Sequence, residues 1–478
     1  MPRSISLPGT TRFARLATVA LCLGTAALAA CDDFITGEGL TEDPNNPAAA
    51  DALQLFVGVQ ASLMNQQEGQ LPRIATMWTQ QIAGTFNQQL NYGSQYILTE
   101  GDVDTFWNQS YAGGGLLDLR KLQGLARTAN DNRLLGLALF IEAFRIGTVT
   151  SLWGDVPYSE AVNADNTAPK RDPQQEVYAT VQAKLDSAIT LLGATSGGPT
   201  AAADVFYEGN YARWIRAAYT LKARFHMHTV ERLGQPAVTA ALAAAQLGIN
   251  EAPTSVAQAL HNQAPGDFRP THGNTFNDGN VWAQFQLGTR QDITAAQQFI
   301  TLLQQRNDPR LAAYFDPAAD GQYRGANQFG IAPAAGSSNL DRETRTVLTF
   351  RQPFITWAEN QLIIAEAQFR LNNPGAALTA TNAVRTSVGL PPLGSVTLEQ
   401  IAEEKYVALY QNIEVYNDWK RNCWPRLTPG GANNTSATAI PARLPYALSE
   451  RQANALNIPA PNAAPVRNWN DPNPCPAP

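Results

Sequence analysis

The chain has 478 residues, a formal net charge of −6 at pH 7 and only 15% charged residues, against about 25% in an ordinary globular protein. This mildly acidic balance excludes the electrostatic footprint of a nucleic-acid binder and of a peripheral protein held to a bilayer by basic patches. The length suffices for one large core or two domains.

In chain order, Arg3, Arg12 and Arg15 precede an apolar stretch at residues 16–30, and small residues lead to Cys31. That is the layout of a secretory signal peptide, and it is shorter than the roughly 20 apolar residues of a spanning helix. Leu28-Ala29-Ala30-Cys31 resembles a bacterial lipobox, so cleavage before Cys31 and lipidation of its thiol are expected. Losing three arginines and no acid would take the charge from −6 to −9. Residues 31–46 read as a flexible polar tether, and 47–478 as one folded domain. Helical periodicity then predicts helices at 52–65, 105–126, 132–152, 173–192, 211–232, 238–247, 295–305, 354–371, 376–387 and 398–412. Strand-like alternation is scarce, with VLTF near Thr349 and RLPY near Leu444 the best short candidates. The fold class expected is mainly all-α, with minor β. Long irregular stretches at 84–101, 253–290 and 316–347 interrupt the helices, and loops of this length in a compact fold carry function or are disordered.

Helices come in pairs. The clearest is AEAQFRLNNPGAALTATNAVR, where Ala365, Ala367, Phe369, Ala377 and Ala380 fall where two antiparallel helices approach, and Asn373-Pro374-Gly375 turns the chain. It resembles a tetratricopeptide unit, whose period is about 34 residues. In an exported chain, Cys423 and Cys475 remain once Cys22 and Cys31 are assigned to the signal and the lipid site. Two leftover thiols in an oxidising compartment are expected to form one disulfide.

No nucleophile elbow, zinc-protease motif or phosphate-binding glycine loop is present. Paired carboxylates for glycoside cleavage stay open, because sequence does not give their separation. His226 and His228 are spaced i, i+2 on a helix, which points them to different faces, so no metal site is expected. His261 and His272 are loop residues able to offer polar contacts. Two clusters mix aromatic rings with amides: Phe86, Asn87, Gln88, Tyr92 and Tyr96, with Trp78 nearby, and Phe276, Asn277, Trp282 and Phe285. Rings stack on sugar faces or peptide side chains while amides supply paired donors and acceptors. The two clusters are expected to converge on one shallow, solvent-facing site.

Several further segments carry a family resemblance: CDDF at the expected mature start, the stretch from Trp107 to Tyr111, RIGTVTSLWGDVPYSEA, GNYARWIRAAYTLKARFHMH, NDPRLAAYF, TWAENQLIIAEAQFR, EVYNDWKRNCWPRL and RLPYALSE. Their order and spacing resemble the SusD/RagB family of outer-membrane nutrient-binding lipoproteins, in its SusD-like second branch. The resemblance implies a tetratricopeptide-like helical scaffold with a loop-rich face. It implies no catalysis and no cofactor. Its members capture oligosaccharides or peptides and deliver them to a TonB-dependent outer-membrane transporter of SusC type. It also implies an outer-membrane location, lipid-anchored and facing the cell exterior. From the residues alone, two other classes remain: a lipid-anchored glycan hydrolase with aromatic subsites, and a structural envelope adaptor.

Overall fold

Where apolar periodicity is long, caps and glycines set the helix ends. Asp131 accepts the Leu134 amide at 3.0 Å and starts helix Asn132–Trp153, and Gly154 at φ 82° ends it. Pro173 leads into Gln174–Leu192, Asn210 caps Tyr211–His228, and Thr356 caps Trp357–Arg370. The computed structural model describes residues 50–286, 290–463 and 466–476. The expected signal segment, the lipid site Cys31 and the tether 31–46 lie outside the described residues.

The helices form a row in which each packs on the next. Leu116–Thr128 lies on Asn132–Trp153, followed by Gln174–Leu192, Tyr211–His228, Gln235–Gln246, Trp357–Arg370 and Pro374–Ser387. The pair around Asn373 closes as its small residues require: Ala365, Ala377 and Ala380 share one apolar cluster with Val396 and Ile401. The row is a mainly helical, tetratricopeptide-like scaffold. Asn132–Trp153 is its spine, with all but Asn132, Arg133 and Leu135 of its 22 residues buried. Among the described residues it alone is long and apolar enough to cross a membrane, and here it is core.

Some expected elements differ. The helix expected over 105–126 is two helices, Asp104–Tyr111 and Leu116–Thr128. Gly114 separates them at φ 73°, where a Cβ would sit 2.7 Å from the Ser62 Cβ, so the break needs glycine. Residues 295–305 begin as a strand, and the helix is Gln297–Gln305. Neither VLTF nor RLPY is a strand. The strands are instead three two-stranded antiparallel pairs, of which Ile82–Gly84 with Ile293–Ala295 matters most. Several helices had no sequence-based expectation, and the longest of them among the described residues are Gln70–Trp78 and Glu414–Asn422.

Candidate functional site

The pairing of Ile82–Gly84 with Ile293–Ala295, in the register Ile82↔Ala295 and Gly84↔Ile293, joins the two long loops that carry the aromatic clusters. The Thr85 amide adds one more bond, to the Asp292 carbonyl at 2.9 Å. The chain then turns sharply. Gly84 allows this, because a Cβ there would meet the Gln89 carbonyl oxygen at 1.9 Å. The turn leaves Phe86 64% exposed, with Asn87 and Gln88 beside it.

A closed circuit of contacts links this turn to Phe285. The Gln89 and Gln70 side-chain amides bond reciprocally at 2.9 and 3.1 Å. Arg73 Nε donates to Gln70 Oε1 at 3.0 Å. The Arg73 guanidinium lies 4.3 Å from the half-buried Phe285 ring, and that of Arg290 lies 4.1 Å from it. Arg290 Nε donates to Asp292 Oδ2 at 2.7 Å, and Asn87 Nδ2 reaches Asp292 Oδ1 at 3.4 Å. Burial, and then the charge of Arg290, lower the Arg73 pKa to about 9. It remains cationic at neutral pH.

The structure thus brings Phe86, Asn87, Gln88 and Phe285 to one exposed neighbourhood. It does not do so for the others. Trp282 is fully buried, in a short helix whose start Asn280 caps by accepting from the Trp282 and Ala283 amides at 2.9 and 3.0 Å. Tyr92 is 8% exposed, its carbonyl accepts from Trp78 Nε1 at 2.8 Å, and its hydroxyl donates to Asp102 at 2.8 Å. Both were expected as ligand contacts, and a ring enclosed by protein has no face to offer a ligand. Trp78 is core as well. Phe276, 58% exposed, and Asn277 occupy a separate turn closed by Thr275 and Asp278. The bond of His272 to buried Glu68 at 2.9 Å ties down the same segment, which makes that histidine structural. Tyr96 accepts from the Gly430 amide at 2.9 Å and lines a different cavity of about 470 Å³, with Pro441, Arg443 and Tyr446.

Sequence reading missed Gln70, Arg73, Arg290 and Asp292. Gln70 and Arg73 sit on the helix that Gly69 and Pro72 disguised, whereas Arg290 ends the stretch expected to be irregular, Asp292 follows it, and the two carried a readable charge pair. His228 bonds Tyr178 and Glu414 at 2.9 and 2.8 Å inside the core, far from any ligand role. Among the described residues no group of three or more His, Cys, Asp or Glu is placed to hold a metal. Cys423 and Cys475 are disulfide-bonded, with Cα atoms 5.2 Å apart.

Chemically, the site offers an open ring, amide donors and acceptors, and guanidinium groups. Its one carboxylate, Asp292, has both oxygens engaged by Arg290 and Asn87.

Solved structures share this architecture. A chitin-binding protein superposes with a TM-score of 0.73 at 20% identity, over 88% of this chain and 100% of its own. A chitin-binding SusD homologue from Flavobacterium johnsoniae gives 0.71 at 20% identity, over 87% and 99%. A SusD-like protein from Bacteroides thetaiotaomicron VPI-5482 gives 0.69 at 23% identity, over 85% and 94%. No curated protein matches. The family model SusD-like, described as starch-binding and associating with the outer membrane, matches residues 44–447. Spanning most of the chain, that match makes it a member of the SusD-like branch of the SusD/RagB family.

Proposed function

We propose that this protein captures oligosaccharides at the outer membrane and passes them to a TonB-dependent transporter of SusC type, without cleaving them. The observation that carries the reading is the exposed Phe86–Asn87–Gln88 turn locked to Phe285 through Gln89, Gln70 and Arg73. Rigid helices hold the circuit, so ring and amides meet a sugar chain already ordered, which lowers the entropy cost of binding. The family description and the chitin-binding neighbours support a neutral or amino-sugar glycan as cargo. A lipid on Cys31 and a tether over 31–46 would keep the module beside its partner, where effective concentration lets modest affinity suffice.

Calorimetry against starch, chitin and xylan oligomers tests the reading, with product chromatography alongside. One class should bind and no product should appear. Phe86→Ala should weaken that binding about two- to tenfold, the worth of one stacked ring, with the melting temperature unchanged. Release of shorter oligomers would return the hydrolase reading. Failure of every oligomer to bind would remove the capture reading.

A further inference from the structure

Beside the aromatic circuit lies a second cavity of about 190 Å³, roomier than the 10–15 Å³ or so that one water needs. Gln70 and Arg73 belong to both. The rest of the wall includes Asn65, Gln66, Gln109 and Arg145, and no carboxylate lines it. Arg145 is fully buried in the middle of the Asn132–Trp153 spine. Its Nη1 donates to the Gln109 carbonyl at 3.2 Å, while Nε and Nη2 have no protein partner among the described residues. Nη1 of Arg73, 8% exposed, and Nε2 of Gln66, 7% exposed, are likewise without one. The acceptor of that Gln66 amide is already taken by Gln67 Nε2 at 3.3 Å.

Three buried side chains in the wall of one cavity therefore carry four unpartnered nitrogens, and every one is a donor. Neither Arg145 nor Arg73 makes an ion pair among the described residues. Burial alone lowers the Arg145 pKa to about 10, so it too is charged at neutral pH. A buried cation without a counter-charge is costly in the free protein. It becomes favourable when an anion arrives with lone pairs for the waiting N–H groups.

We propose that this cavity is an oxyanion subsite that receives the carboxylate of a uronic-acid unit, while the neighbouring sugar packs at the Phe86–Phe285 circuit. The proposal rests on the capture reading and adds to its cargo a uronic-acid unit within an otherwise neutral oligosaccharide. Arg73 joins the two halves. Its Nε is committed to Gln70 beside the ring, and its free Nη1 belongs to the same guanidinium that lines the cavity.

Calorimetry and thermal melting with glucuronate, its uncharged methyl ester and inorganic sulfate decide it, on the full chain and on Arg145→Gln and Arg145→Met. Glucuronate should bind at least tenfold more tightly than its ester, the size of one charge-assisted hydrogen bond, and should raise the melting temperature. Arg145→Gln should bring that ratio to about one. Unliganded Arg145→Met should melt no lower than the parent, because it removes an uncompensated buried charge. Equal affinities for acid and ester, or no binding of the acid, would overturn the subsite and leave the capture reading standing on its neutral oligomers. Sulfate binding as tightly as glucuronate would assign the cavity to a free anion instead of a sugar acid. A collapse in melting temperature for both Arg145 variants would make the residue a packing element and end the proposal.

Discussion

Phe86 and Trp282 are both aromatic rings in long, amide-rich loops, yet one is 64% exposed and the other fully enclosed. The difference sets opposite costs. Trp282→Ala should lower the unfolding free energy by about 3–5 kcal/mol, because a large cavity opens under Arg73, whose guanidinium lies 5.9 Å from the ring. Phe86→Ala should change it by less than about 0.5 kcal/mol, as an exposed substitution does. Urea titration of the two variants beside the parent checks both values, and a small loss for Trp282→Ala would mean that the ring is dispensable packing. Composition could place rings and amides together but could not say which rings turn inward. One local cue was available. Asn280 precedes Val281-Trp282-Ala283 as a cap precedes a short helix, which takes Trp282 out of the irregular loop. Nothing comparable marked Arg73 or Arg145, whose importance lies in what they fail to pair with.

At the scale of elements, three residues of strand do what no motif announced. Ile82–Gly84 and Ile293–Ala295 lie about two hundred residues apart in the chain, and their pairing fixes where both loops go. Strands this short have no periodicity to read, and their long-range register is absent from local sequence. Gly84→Ala should force the 84–89 turn apart, since the added carbon would overlap the Gln89 carbonyl. A stability loss of about 1–3 kcal/mol is expected, together with weaker oligosaccharide binding while the helical circular-dichroism signal is retained. Unaltered binding would mean that the turn does not shape the site. The helices themselves were legible wherever an apolar stripe ran for three turns or more. Glu414–Asn422 escaped because four of its eight buried residues are charged: Glu414, Asp418, Lys420 and Arg421. Asp418 pairs with Arg421 and Lys405, each at 2.6 Å, and Lys420 sits 3.7 Å from Asp471. Reading by hydropathy assigns such residues to solvent, whereas here satisfied ion pairs carry them into the core.

Across the whole folded unit, the last residues act as a strap. Cys475 is bonded to Cys423 across a sequence separation of 52. Asn468 donates to the Ser151 carbonyl at 3.0 Å, the Asn470 amide to Gln174 at 3.0 Å, and Asn470 Nδ2 to the His228 carbonyl at 3.1 Å. Three helices of the row are thereby held by one short segment. Cross-linking a loop of this size is worth about 4 kcal/mol in the chain-entropy model. Cys475→Ser should therefore melt well below the parent, and limited proteolysis should cut first after residue 458. Matching melting curves under oxidising conditions would show that the strap's hydrogen bonds alone suffice. The buried spine has a consequence that arises before any of this forms. Export of an unfolded chain behind the expected signal segment would present Asn132–Trp153 to the translocation machinery as a stretch apolar enough to halt there and slip sideways into lipid. Arg145 near its middle adds about 2.5–3.5 kcal/mol to that lateral step, cancelling the gain from several leucines, and Glu142 adds a second charge one turn away. On that route, the residue that leaves the finished protein with an unanswered charge would also favour passage of the nascent chain through the membrane.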